Sequence, residues 1–205
     1  MIIYRLETTS ENLDNVKNYF GMATFENDNY SKSFFRETFE SNSFEGFEKP
    51  PKVYFVKKDG PLIYTEVPDY DSKKHPIFSE KAFNCLKDLF PTNSEFMEIR
   101  NSDRKYKGKY FLLLLKDRID CLDKDKSDAR WNTSSGQAID MYKYEFIKEK
   151  INKDLNIFRI PQRRIDIFVT EKFIQRAIEN DLKNFMFKPV WSSDGNDLPP
   201  IIELK

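Results

Sequence analysis

Histidine is nearly missing from this 205-residue chain: His75 is the only one. A Ser-His-Asp or Cys-His nucleophilic arrangement would have to be built on it. It stands in Lys73-Lys74-His75-Pro76, a polar stretch before a proline that reads as a surface loop. Cysteine is almost as scarce. Cys85 and Cys121 sit in apolar contexts, which predicts reduced, buried and unreactive thiols. Three scattered Cys and His residues cannot assemble a zinc site. Only six glycines occur, and none forms GxGxxG or GxxxxGK[ST], so no phosphate-cradling loop is expected.

Net charge is also lacking, since 34 basic residues balance 34 acidic ones. A nucleic-acid binder draws its affinity from a basic surplus, so no direct nucleic-acid contact is expected. The longest apolar run, Phe111-Leu112-Leu113-Leu114-Leu115, is far short of the ~20 residues that span a bilayer. The start, Met1-Ile2-Ile3-Tyr4-Arg5-Leu6-Glu7, has no basic segment leading into an apolar one. Together these predict a cytoplasmic protein without membrane contact.

Acidic side chains are plentiful but poorly arranged for chemistry. Asp123-Lys124-Asp125-Lys126-Ser127 mimics the opening of a calcium loop, with Asp117, Asp120 and Asp128 nearby. The match then fails: Asp128 stands where glycine is needed, Ser134 where the closing glutamate is needed, and lysines interleave. A capped turn after a strand is the simpler reading. Carboxylate pairs for general acid–base work arise by chance at a charged content of 33%, so none is singled out. No catalytic residue, metal or cofactor is assigned, and the chain is expected not to be an enzyme.

What the chain has is aromatic surface. Its mean hydropathy is −0.69, yet 19 Phe and 10 Tyr are present. Each buried ring removes roughly 150–250 Å² from water, enough for a core with few aliphatic residues. Alternation and β-branched or aromatic enrichment predict strands over 2–6, 52–57, 62–67, 95–100, 109–116, 157–160, 165–169 and 185–190. Lys58-Asp59-Gly60-Pro61 predicts one hairpin, and the polar stretch 101–108 a second. Ser79 caps a helix carrying Ala82, Phe83, Leu86, Leu89 and Phe90 on one face, stopped by Pro91. Thr170 opens another, with Phe173, Ile174, Ala177 and Ile178. Residues 10–20 suit a weaker helix, and 139–151 fit strand or helix equally. The expectation is a single α+β domain over 1–205, with largely antiparallel sheet and two to four helices packed on it.

Residues 1–50 form an acidic, Phe-rich region. From Glu7 to Glu48 there are nine acidic residues against three basic ones, a local net of −6. Residues 143–176 lean the other way, with nine basic against five acidic. An acidic surface rimmed by aromatics would steer and select a basic partner. Glu37, Glu40, Glu45 and Glu48 are its candidate contacts. A solvated face over core phenylalanines explains the same composition.

The segment 51–191 carries a resemblance, followed by a tail at 192–205. Three blocks bear it: Val67-Pro68-Asp69-Tyr70 leading to Pro76-Ile77-Phe78-Ser79-Glu80-Lys81; then Ile119-Asp120-Cys121-Leu122-Asp123-Lys124-Asp125-Lys126-Ser127; then Ile157-Phe158-Arg159-Ile160, Ile167-Phe168-Val169-Thr170-Glu171-Lys172-Phe173 and the closing Phe185-Met186-Phe187-Lys188-Pro189-Val190. In order and spacing, over 65–191, they resemble an immunity-protein family of bacterial polymorphic toxin systems, typified by a myxobacterial member. The middle block is similar to that family's Leu-Asp-x-x-x-Ser element. Where the family usually has glycine after the last helix, this chain has Asp181-Leu182-Lys183-Asn184. The resemblance implies a protein that binds and neutralises a cognate toxin, one acting in the cytoplasm such as a nuclease or nucleotide-modifying enzyme. The alternatives are an interaction module without a toxin partner, or a carboxylate-dependent enzyme.

Overall fold

The computed structural model describes residues 1–8, 22–25, 29–51, 53–56, 69–70, 75–99 and 108–204. The protein is α+β and mostly sheet. Its principal sheet contains β1 (Ile2–Thr8), β10 (Ile157–Ile160), β11 (Arg163–Thr170), β12 (Phe185–Ser192) and β13 (Ile202–Leu204) in the order β10-β11-β1-β12-β13, antiparallel throughout.

Successive side chains of a strand point to opposite faces, and here both faces are covered. Ile3 packs with Phe158, Phe168 and Trp191, while its neighbour Tyr4 packs with Ile167, Val169, Phe185 and Phe187 on the other side. This explains why these strands read as nearly continuous apolar runs. The Tyr4 face is closed by two helices, α2 (Glu80–Leu86) and α3 (Glu171–Glu179). The Ile3 face is closed by Cys121, Leu122, Tyr144, Phe146 and Ile151.

A second sheet, ordered β5-β7-β6, joins β5 (Ile77–Ser79), β6 (Glu95–Ile99) and β7 (Tyr110–Leu114). The pairing of Glu95 with Leu114 through Ile99 with Tyr110 forms the expected second hairpin. Leu113 and Leu115 face the helices, whereas Leu112 and Leu114 face α1 (Asn29–Ser41) and its phenylalanines. The apolar run at 111–115 is therefore a strand buried on both sides. A third sheet is backbone pairing of β2 (Met22–Phe25) with β3 (Val53–Val56), antiparallel, and β4 (Asp69–Tyr70), parallel. A two-stranded ribbon, β8 (Asp128–Trp131) with β9 (Ala138–Lys143), is the remaining sheet among the described residues.

Helix α2 starts as its sequence predicts: Ser79 Oγ accepts the Ala82 amide at 3.1 Å, and Lys87–Leu89 tighten into a 3-10 turn before Pro91. At α3 the expected cap fails, because Thr170 makes no side-chain cap hydrogen bond; its hydroxyl turns to Asn156 Oδ1 at 3.4 Å. Phe173, Ile174 and Ala177 are buried, but Ile178 is 46% exposed, off the inward face. The ambiguous segment divides into β9 and a 3-10 turn at Lys148–Lys150. The expected helix at 10–20 and strand at 62–67 lie outside the described residues. Among the described residues, no helix is long and apolar enough to cross a membrane.

Candidate partner-binding surface

Helix α1 presents the acidic candidates. Its inward positions Phe34, Phe35 and Thr38 are buried, and Glu37 and Glu40, three apart on the opposite side, are exposed. The Phe34 ring lies 5.0 Å from Phe47 and 5.8 Å from Phe44, anchoring the loop that follows. That loop turns at Asn42 and Gly46, whose φ of 59° and 87° lie in the left-handed region glycine and asparagine tolerate. Glu45 and Glu48 stand exposed upon it. The Ser33 hydroxyl and the Arg36 guanidinium hold the Glu37 carboxyl below its ordinary range. Over 29–51, these four glutamates face Lys32, Arg36 and Lys49, a net of −1. Glu7 pairs with Arg5 in β1, and Glu11, Asp14, Glu26 and Asp28 lie outside the described residues.

His75 corrects the reading of its segment as a surface loop. It is fully buried, 3.0 Å from Thr38 Oγ1, with the rings of Phe35, Phe39 and Phe44 about it at 6.2, 6.2 and 5.9 Å. The polar lysines before it hid the inward turn at Pro76. The imidazole thus fastens α1 to the chain entering β5.

Phe39 is the second fastening, and it organises an arginine cluster. Arg118 follows β7, Arg159 lies in β10 and Arg164 in β11. Their guanidinium carbons sit 5.9, 6.0 and 4.7 Å from the Phe39 ring centroid. The Phe39 carbonyl accepts from Arg118 Nη2 at 3.1 Å and Arg164 Nη2 at 2.8 Å. Arg118 is brought beside Arg159 by a backbone bridge, in which the Ile119 amide donates to the Arg159 carbonyl at 2.7 Å. Burial lowers the Arg118 pKa, and repulsion from Arg164 lowers it further.

Beside this cluster opens a cleft of about 390 Å³ lined by Arg118, Asp120, Lys124, Gln137, Gln162 and Arg164, among others. Gln162, 5% exposed, donates Nε2 to Asp120 Oδ1 at 2.5 Å. Lys124 lies on the rim over the Trp131 ring at 5.7 Å. The basic excess of 143–176 was the one sequence signal for this site, and it covers only part of it. The rest comes from 118–124, which the topology brings alongside.

The aspartates of the calcium-like segment go separate ways. Asp123 Oδ1 accepts the amides of Asp125 and Lys126, both at 3.2 Å, and Ser127 Oγ accepts the Glu145 amide at 3.0 Å. The Leu122-Asp123-x-x-x-Ser127 element is therefore a self-closing turn that also clasps the next segment. Asp117 accepts from Asn93 Nδ2 at 2.6 Å, and Asp120 serves Gln162. Among the described residues, no group of three or more His, Cys, Asp or Glu side chains is placed to hold a metal ion.

No curated protein matches the chain. The profile of the immunity protein family (Imm11) does, over residues 6–192. That span takes in the helices described above and every strand except β13 and the first residues of β1, and it extends the resemblance drawn from 65–191 back through the Phe-rich segment. The chain belongs to this immunity protein family.

Proposed function

We propose that this protein binds a cognate toxin by direct protein–protein contact and neutralises it, acting by occlusion and not by catalysis. The observation that carries the reading is the family match over 6–192. The toxin belongs to a polymorphic toxin system of bacterial competition and acts in the cytoplasm, as a nuclease or nucleotide-modifying enzyme would. Glu37, Glu40, Glu45 and Glu48 form the contact for a basic patch of that toxin. Their exposure on α1 and its following loop supports this, because opposite-sign surfaces raise association rates and select partners.

The test is co-expression with the product of the adjacent gene, read as cell survival and co-purification. Survival without the immunity chain, or no complex, would remove the toxin reading. Replacing all four glutamates by lysine should slow association at low salt; unchanged affinity would remove the acidic contact.

A further inference from the structure

We propose that the cleft lined by Arg118, Lys124, Gln162 and Arg164 is a receptor for an acidic side chain of the protein partner. The inference rests on the toxin-binding reading only for the source of that carboxylate. The chemistry of the cleft is independent of it.

Arg118 and Arg164 lie on one aromatic ring and share one carbonyl, with no carboxylate paired to either among the described residues. Each leaves its Nε buried without a hydrogen-bond partner. Two like charges fixed side by side repel, and a buried donor without an acceptor is costly. With Lys124 added and Asp120 subtracted, the lining carries a net charge of +2. A carboxylate meets guanidinium forks with paired, charge-assisted hydrogen bonds.

Gln162 indicates what the carboxylate is attached to. Its Nε2 is taken by Asp120, and its Oε1 is buried without a donor. An occupant bearing both a carboxylate and a nearby N–H satisfies both halves of the cleft. A glutamate or aspartate within a polypeptide has that pair, whereas a phosphomonoester dianion has no donor. The space of about 390 Å³ admits such a side chain with its flanking backbone.

The test is a titration of the full chain with N-acetylglutamate N-methylamide, followed through the backbone amide resonances of Gly136, Gln137 and Gln162 at constant ionic strength. Saturable shifts are expected from this probe and none from its glutamine counterpart. Lys124→Gln, at an exposed position, should weaken binding several-fold, and Arg164→Gln about tenfold or more, the scale of one charge-assisted hydrogen bond. Should Arg164→Gln fail to fold, Lys124→Gln still decides the matter. No saturable shift, saturation by inorganic phosphate alone, or wild-type affinity in Lys124→Gln would overturn the proposal. The titration contains no toxin, so its failure removes the cleft, whereas failure of the co-expression assay removes the toxin reading.

Discussion

Arg164 grips Phe39 in two ways at once: its guanidinium carbon sits 4.7 Å from the ring centroid, while its Nη2 donates at 2.8 Å to the carbonyl of the same residue. Helix α1 is thereby tied to β11, 125 residues later in the chain. Replacing Phe39 by leucine removes the ring and keeps the carbonyl. A double-mutant cycle of Phe39→Leu with Arg164→Gln therefore isolates the cation–π contact. Its coupling energy should be about 0.5–2 kcal/mol by urea unfolding. A coupling indistinguishable from zero would mean that the hydrogen bond alone joins Arg164 to Phe39.

The two helix starts make a contrasting pair. Ser79→Ala removes a side-chain cap and should cost about 1 kcal/mol of stability. Thr170→Ala removes no cap and should cost clearly less in the same denaturant titration. Equal losses would show that capping is not what separates them.

Glu95 joins the loop after α1 to the second sheet. Its Oε2 accepts the Phe44 amide at 2.8 Å, and Oε1 meets Lys116 Nζ at 2.5 Å. Burial alone would raise its pKa, but Lys116 and the Phe44 amide outweigh it and hold the carboxyl below its ordinary 4.5. A folded-state value below the unfolded one contributes stability that is complete above the unfolded value and lost as pH falls through the folded one. Glu95→Gln should therefore be less stable than wild type at neutral pH, with a shallower loss from about pH 5 downward. Parallel pH profiles for the two proteins would contradict this.

Thiol reactivity should divide the two cysteines. Cys121 is fully buried, and burial pushes its thiol up to about 12. Cys85, whose apolar context predicts full burial, is only half-buried, its thiol donating to Asn180 Oδ1 at 3.3 Å. At neutral pH a thiol-specific disulfide reagent should modify Cys85 alone in the native protein and both residues in denaturant. Rapid native modification of Cys121 would show that the Ile3 face of the sheet opens readily.

Strong periodicity made much of this architecture legible. Strands β6, β7, β10, β11 and β12 and helices α2 and α3 coincide with their predicted segments to within a few residues, because each has a run of apolar side chains bounded by polar breakers. Helix α1 was not legible: polar and charged residues dominate it, no acidic residue marks its first turn, and its inward face is two phenylalanines, a threonine and a serine. Strand β8 escaped for another reason: Asp128-Ala129-Arg130-Trp131 alternates polar and apolar, but it is only four residues long and buries none of them fully. The acidic candidates could be named because they are consecutive in the chain. The arginine cleft could not, because Arg118 and Arg164 become neighbours only through the bridge between residue 118 and β10. Charge counts along a sequence do not register convergence across it.

Strand β1 lies at the centre of its sheet, yet both of its partners are made much later. The earliest of them begins at Arg163, roughly 155 residues after Thr8. At translation rates of about 5–20 residues per second, that interval is on the order of 8–30 s. Through it, both edges of the nascent strand wait unpaired, and the long-range closure that ends the wait is intrinsically slow. The helix-backed sheet therefore closes only after the residues between β1 and β11 have left the ribosome, and a message cut short before β11 leaves β1 with nowhere to dock.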